Sequence, residues 1–329
     1  MIRRIIIILF LSLAFITLIP KEKSHSWGFY GHKRINRMAV FCLPPGMITF
    51  YKKHIEFITN HSVDADKRRY SDKNEAPRHY IDIDHYGKNG FEIVPKFWND
   101  AVLKFSEDTL LAYGIVPWQI EKQYFKLVTA FKDENIDHIL QYSSDLGHYV
   151  GDAHVPLHTT ENYNGQLTGQ KGIHGFWESR IPELKADGYD YFLGRAHYIE
   201  SPLKMAWKAV YDSHLEVDSV LKFEALLSKN FPQDQKYAYE NRNNILSKVY
   251  SEAYTNQYDL MIKGQVERRM RQSIIMVSSL WYTAWINAGK PNLDKLEQIE
   301  ISDSLKTATQ KQDEVYNLNH INDEKSHEE

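Results

Sequence analysis

Apolar residues recur at the spacing of one helix face through most of the chain. The clearest case runs from Ile35 to Leu43, where Pro44 and Pro45 then end the pattern. Helices are predicted on this basis over 35–43, 48–61, 136–150 and 266–285. The pattern therefore predicts a protein built mainly from helices.

Strand-like alternation is confined to the short stretch 79–84. Polar stretches rich in turn residues predict long loops over 65–77, 84–95 and 159–173. Fold class is therefore predicted as all-α, a single helical domain with long polar loops.

The chain ends differ from its body. Arg3 and Arg4 precede an apolar run over 5–19, and small residues follow at 24–26. This pattern predicts a signal peptide over 1–26 and export to the periplasm or the medium. An uncleaved anchor is the alternative, although the apolar run is short for a membrane span. The body is predicted over 27–296, followed by an acidic, disordered tail over 297–329.

Charge and cysteine content exclude some functions. The body carries 33 basic and 33 acidic residues, whereas the tail carries three basic and nine acidic ones. A neutral body argues against binding to long duplex nucleic acid, which requires many phosphate contacts. Cys42 is the one cysteine, so the chain can form no internal disulfide and no cysteine-based zinc finger.

The densest chemical signal lies between 148 and 178. His148 and Asp152 stand four residues apart on a predicted helix, and His174 and Glu178 repeat that spacing. Between these pairs, a proline precedes His158 by two residues and can turn its ring toward them. Imidazole and carboxylate groups suit Zn²⁺ without cysteine.

Two further segments upstream carry residues of the same types. Trp27 follows the predicted cleavage site directly, and His32 stands five residues later. Asp64 and His79 flank one of the predicted loops. Each fragment alone is a weak signal, but together they predict a metal site built from several segments.

These residues resemble the zinc-dependent phospholipase C and S1/P1 nuclease superfamily, an all-helical fold with three zinc ions in a cleft. The resemblance covers 27–285, and its motifs lie within 27–178. It implies zinc ligands at Asp64, His79, His148 and Asp152 for the first ion, at His158, His174 and Glu178 for the second, and at Trp27 (through its α-amino nitrogen and carbonyl oxygen), His32 and Asp152 for the third.

The resemblance also implies hydrolysis of phosphodiester bonds by water that zinc activates. Asp64 would also orient that water or accept its proton. Lys67, or Arg68 one place later, would stabilise the transition state. Signal-peptide cleavage would free the amino group of Trp27 to bind metal, so that export and activation are coupled.

The sequence leaves the substrate open between a phospholipid and a single-stranded nucleic acid or nucleotide. Choline-preferring phospholipases carry Glu, Tyr and Phe where this chain has Tyr30, Ala65 and Ala76. The run 151–158 and the stretch 76–80 match the nuclease branch, but a glutamate as last ligand matches the phospholipases.

Several alternatives follow from this intermediate pattern. Base stacking on Tyr163, Phe176 or Trp177 would favour a nuclease or 3′-nucleotidase. Contact with a membrane surface would favour a phospholipase. A non-catalytic zinc-binding envelope protein is the alternative outside the enzymes. The sequence indicates no protein partner.

Overall fold

A computed structural model of the protein describes residues 28–242 and 245–326. Most of these residues are helical, as the sequence predicts. The helices of the first half are α1 (Phe29–Phe41), α2 (Ile48–Lys53), α3 (Ile55–Asn60), α4 (Asp64–Arg68), α5 (Gly90–Ile93), α6 (Trp98–Phe105), α7 (Glu107–Tyr113), α8 (Val116–Lys132) and α9 (Ile136–Ala153).

The second half contains the helices and strands α10 (Ile173–Gly175), α11 (Ile181–Lys185), α12 (Pro202–His214), α13 (Val217–Asn230), β1 (Tyr237–Arg242), β2 (Ile245–Tyr250), α14 (Glu252–Met261), α15 (Gln265–Asn287), α16 (Leu293–Glu297) and α17 (Asp303–Ser326). Short 3₁₀ turns cover His61–Val63, Ala76–Arg78, Ile83–Tyr86, Pro156–Thr159, Ala186–Gly188 and Gln233–Gln235, and one π-helical turn covers Phe176–Arg180. No helix within the described residues is both long and apolar enough to cross a membrane.

The core forms where α8, α9 and α15 pack against α1 and α12. Trp281 on α15 is fully buried and stacks on Tyr51 at 4.9 Å between ring centroids. Its indole Nε1 donates a hydrogen bond of 3.1 Å to the backbone oxygen of Ser143 on α9. Aromatic burial of this kind is a large part of the hydrophobic stabilisation of a core. The apolar stripe of α15 therefore belongs to the core, and the helix lies where the sequence predicts one.

Strands β1 and β2 form an antiparallel hairpin that the sequence analysis did not predict. It pairs Tyr237 with Tyr250, and Tyr250 in turn stacks on Phe176 at 4.0 Å. An Asn-Asn pair at 243–244 between two segments rich in Tyr, Leu and Val was the available signal. The stretch 79–84, which alternates in sequence, forms no strand and ends in a 3₁₀ turn at Ile83–Tyr86.

The C-terminal segment differs from the expected disorder, because 303–326 forms helix α17. The helix docks on α4, where Tyr316 is 95% buried (5% exposed) and Lys67 pairs with Asp313 at 2.7 Å. Its charged and polar sequence shows no wide apolar stripe, and this is why the pattern predicted a solvated tail. One buried aromatic ring and specific polar contacts hold it in place instead.

Candidate metal centre

Helices α1 and α9 approach each other closely at two glycines of α9. A Cβ atom at Gly147 would lie 2.1 Å from the side-chain oxygen of Asn36, and one at Gly151 would lie 2.9 Å from His32 Nδ1. Larger residues at either position would force the helices apart. This contact brings His32 of α1 beside His148 and Asp152 of α9, and the rings of His32 and His148 stack at 4.0 Å.

His79, His148 and Asp152 form a buried group of metal-ligand type. His79 Nδ1 lies 3.0 Å from both His148 Nε2 and Asp152 Oδ2, and His148 Nε2 lies 3.2 Å from the same carboxylate oxygen. His148 and Asp152 share a face of α9, whereas His79 follows the 3₁₀ turn Ala76–Arg78. The group therefore unites two segments far apart in sequence.

The outward nitrogen of His148 has a backbone acceptor, whereas that of His79 has a carboxylate nearby but, among the described residues, no partner within hydrogen-bond distance. His148 Nδ1 lies 2.8 Å from the backbone oxygen of Ser62, to which it donates. His79 Nε2 lies 3.6 Å from Oε1 of Glu75, which is fully buried. When both rings are neutral and carry their protons on these outer atoms, the inner nitrogens present lone pairs to one another and to a carboxylate. Such a donor set could hold a metal ion, and a hydrogen-bonded outer nitrogen is typical of metal-binding histidines.

Asp66 stands at this centre where the sequence analysis expected Asp64. Its Oδ1 lies 3.7 Å from both His79 Nδ1 and His148 Nε2, and Asp66 forms a further group with His32 and His148. The signal in the sequence was that a second aspartate stands two residues after Asp64 and is followed, at Arg69, by an arginine three residues later.

Asp64 belongs to none of the ligand groups among the described residues. Its carboxylate instead contacts His61 Nδ1 at 2.8 Å and Lys67 Nζ at 3.0 Å. Asp64 and Asp66 lie two residues apart on α4, so their side chains leave the helix in different directions. Burial favours the neutral acid, but His61 and Lys67 outweigh it and lower the pKa of Asp64. Within the described residues, Asp66 rather than Asp64 is therefore the carboxylate that faces His79 and His148.

His158, His174 and Glu178 form another ligand group, the set that the sequence analysis expected. Glu178 Oε2 lies 3.2 Å from His158 Nε2, and its Oε1 lies 3.2 Å from His174 Nε2. The Nδ1 of His158 donates to the backbone oxygen of His79 at 2.6 Å, so its Nε2 is the atom that faces the carboxylate. That bond also ties this group to the buried one.

Asp152 links the groups. Its Oδ1 lies 3.3 Å from His32 Nε2 and 3.9 Å from His158 Nδ1, while Oδ2 faces His79 and His148. A carboxylate with both oxygens engaged in this way can bridge two cations. Trp27 lies outside the described residues, but Gly28 after it lies against Glu178, since a Cβ there would be 3.4 Å from Glu178 Oε1.

The charges at this centre stabilise one another. Burial opposes ionisation of Asp152, but His148 and His158 hold the pKa of its carboxyl well below the ordinary value. Burial likewise opposes protonation of His158, yet Asp152 and Glu178 raise its pKa to about 9. The carboxylates stay ionised here, and the neighbouring imidazoles take up protons readily. The centre therefore stabilises positive charge, whether from protons or from metal ions.

Lys67 and Arg68 form ion pairs with acids of the fold. The sequence predicted that one of them would stabilise a transition state. Lys67 bridges Asp64 at 3.0 Å and Asp313 at 2.7 Å. Arg68 is mostly buried and pairs with Asp145 at 3.0 Å. Neither cation is free to meet a substrate.

Arg69 is the cation beside the ligand groups. Its side chain is 54% exposed, and Nη1 lies 3.9 Å from Asp66 Oδ1. It borders a cleft of about 470 Å³, which Asp66 and Glu178 also line. The cleft is therefore bordered by a half-exposed guanidinium and by two carboxylates of the ligand groups.

The aromatic candidates divide between core and surface. Phe176 and Trp177 are buried in the cluster around α14, so neither can stack on a base. Tyr163 is 52% exposed, and its ring centroid lies 6.0 Å from that of His174.

Comparison with known proteins adds no identification. The chain matches no known protein-family model, and a search of curated proteins found no significant match. Within the described residues, the groups of histidine and carboxylate side chains could hold metal ions. Nitrogen and oxygen ligands of these kinds fit Zn²⁺ among the divalent cations.

Proposed function

We propose that this chain is a zinc-dependent hydrolase of phosphodiester bonds, of the zinc-dependent phospholipase C and S1/P1 nuclease type. The observation that carries the proposal is the convergence of the ligand groups on Asp152, which faces His32, His79 and His148 within 3.3 Å. Adjacent cation sites that share a carboxylate are typical of enzymes that displace an oxygen at phosphorus.

The proposed ligands of the zinc ions are His79, His148, Asp152 and Asp66 at the buried group, His158, His174 and Glu178 at the other, and His32 with Asp152 and Trp27 at the third. Bound zinc supplies a Lewis acid and makes hydroxide accessible at neutral pH. The cleft beside the ligands provides room for a phosphodiester, and ionised Asp66 can accept a proton there. Arg69 would donate to a non-bridging phosphate oxygen.

We propose that the substrate is either a single-stranded nucleic acid or nucleotide, or a phospholipid. Tyr163 beside His174 and the partly exposed Tyr70 beside Arg69 favour a single-stranded nucleic acid or nucleotide, because bases stack on accessible rings. Leu167, 72% exposed in the same loop as Tyr163, would equally suit contact with a lipid surface. Export, with the signal peptide over 1–26 outside the described residues, remains part of the proposal.

A substrate panel with chelation tests the proposed function. Zinc-loaded protein that begins at Trp27 would be assayed on single-stranded RNA and DNA, 3′-nucleotides, phosphatidylcholine and other phospholipids. We expect turnover of one class, its loss with a chelator and its return with Zn²⁺. Protein that binds zinc stoichiometrically yet hydrolyses none of these would instead support the non-catalytic zinc-binding alternative.

Arg69→Ala should slow hydrolysis about tenfold, because a hydrogen bond from this half-exposed guanidinium to a charged phosphate contributes about 1.5 kcal/mol. Arg69→Lys should restore only part of the rate, because an ammonium group lacks the planar fork. Exposed Lys73→Ala, four residues further on, serves as the control. Steady-state rates on the active substrate measure the effect, and an unchanged rate in Arg69→Ala would remove Arg69 from the mechanism.

A further inference from the structure

Helix α17 is fastened across one side of the candidate metal centre. Asp313 pairs with Lys67 at 2.7 Å, and Gln312 Nε2 donates to the backbone oxygen of Asp64 at 2.7 Å. Both partners belong to α4, the helix that also carries Asp66. The contacts therefore set the position of α17 relative to a metal-facing carboxylate.

Tyr316 is the residue that α17 buries one turn beyond these contacts. It is only 5% exposed, and its ring lies 5.8 Å from that of Phe29 and 5.3 Å, edge to face, from that of Tyr70. Phe29 and Tyr70 both flank the ligand segments, since they lie near His32 and directly after Arg69. Three rings packed in this way fix the position of the Tyr316 side chain.

The ring of Tyr316 also borders the cleft that Asp66, Arg69 and Glu178 line. A helix with so polar a sequence gains little by burying itself, so its docking depends on a few specific contacts. Those contacts place one aromatic side chain against the space that a substrate would occupy. No other residue of α17 within its described part lines this cleft.

We propose that Tyr316 and helix α17 form a wall of the substrate cleft and select substrates by size. A small phosphodiester fits between this wall and the ligand groups, whereas a long strand or a lipid in a membrane must pass the wall to reach them. Tyr316 is thus a specificity-determining residue. This inference rests on the proposed function, and its test includes a readout that needs no turnover.

Chemical accessibility of the cleft gives that independent readout. Ala76 lines the same cleft, so Ala76→Cys places a thiol inside it, while the native Cys42 is buried and stays unreactive. We expect iodoacetamide to modify this thiol readily and a bulky maleimide to do so slowly. Adding Tyr316→Ala should accelerate the bulky reagent selectively. If Tyr316→Ala accelerated both reagents equally, or neither of them, the proposal that Tyr316 limits entry to the cleft by size would be wrong.

Substrate selection gives the second readout. The rate on single-stranded DNA or phosphatidylcholine vesicles, divided by the rate on bis(4-nitrophenyl) phosphate, should rise about tenfold in Tyr316→Ala. Tyr316→Phe should keep the low ratio, and Leu318→Ala, exposed on the same helix, is the matched control. An unchanged ratio in Tyr316→Ala would contradict the assignment of specificity to this residue.

Further outcomes separate the two proposals. If no variant hydrolyses any diester, the proposed function fails while the thiol readout still decides whether α17 walls the cleft. If Tyr316→Ala does not fold, Asp313→Ala replaces it, since this change removes the fastening to Lys67 and leaves the aromatic contacts in place. Asp313→Ala should change both readouts in the same direction, and a stable variant with neither change would refute the wall.

Discussion

Replacing Asp152 with asparagine should reduce zinc binding and slow phosphodiester hydrolysis on the order of 10³-fold. The carboxylate faces three imidazoles of the centre, with Oδ1 toward His32 and Oδ2 toward His79 and His148. An amide of the same shape keeps the packing but removes the negative charge that the cations require. Zinc per chain, measured by atomic emission, and the steady-state rate should fall together.

Asp137→Asn provides the matched control for this variant. Asp137 begins the same helix, α9, and lies about four turns from Asp152. Its side chain accepts a hydrogen bond from the Ser302 backbone, which an asparagine oxygen can also accept. Zinc content and rate should stay at the native level in this control. A stably folded Asp152→Asn variant with a full zinc complement and native rate would refute the proposed centre.

The long helices were predictable because their apolar residues repeat with the helical period. α9 and α15 match the predicted bounds closely, whereas α1 begins six residues before the predicted helix over 35–43 and ends at Phe41, three residues before the first proline. The predicted helix over 48–61 divides at His54, a break that the apolar pattern does not show. Periodicity reports which face is buried and says little about where a helix breaks.

The hairpin and α17 were not predictable from that pattern for a common reason. Strands β1 and β2 expose large residues such as Tyr239 and Leu246, so their alternation does not separate a buried face from a solvated one. Helix α17 depends on contacts with α4 and a single ring, Tyr316. Structure that arises from a few tertiary contacts leaves little trace in local composition.

The candidate site divides in the same way. Pairs spaced four apart on helices, His148 with Asp152 and His174 with Glu178, lie together because helix geometry guarantees it. The choice between Asp64 and Asp66 depended instead on the direction in which a short helix presents its side chains. Residue type alone could not make that choice.

The role of each basic residue that follows Asp66 was also not predictable from residue type alone. Lys67, Arg68 and Arg69 follow one another, and the sequence offered no means of telling which would reach a substrate. Their roles depend on distant acids, because Asp145 holds Arg68 and Asp313 holds Lys67. Of these three cations, only Arg69 lines the cleft.

Glu75 is the buried acid that connects the fold to the metal centre. It accepts hydrogen bonds from Arg78 and from the Tyr149 hydroxyl, it lies 3.4 Å from Arg68 Nε, and its Oε1 is 3.6 Å from His79 Nε2. Burial favours its neutral form, but these neighbours hold its pKa far below the ordinary value. Glu75 therefore acts as a positioning residue for the His79 ring.

Glu75→Gln should weaken zinc binding about 10–100-fold, because a neutral amide replaces the negative charge beside His79 Nε2. It should also lower the free energy of unfolding by about 1.5–3 kcal/mol, since Arg68 and Arg78 each lose one carboxylate partner and keep another. Urea unfolding of metal-free protein and competition with a zinc chelator separate the two effects. Exposed Glu92→Gln is the control. A loss of stability with unchanged zinc affinity would show that Glu75 supports the fold alone, because an ion pair that only packs α4 has no reason to alter how His79 binds a metal.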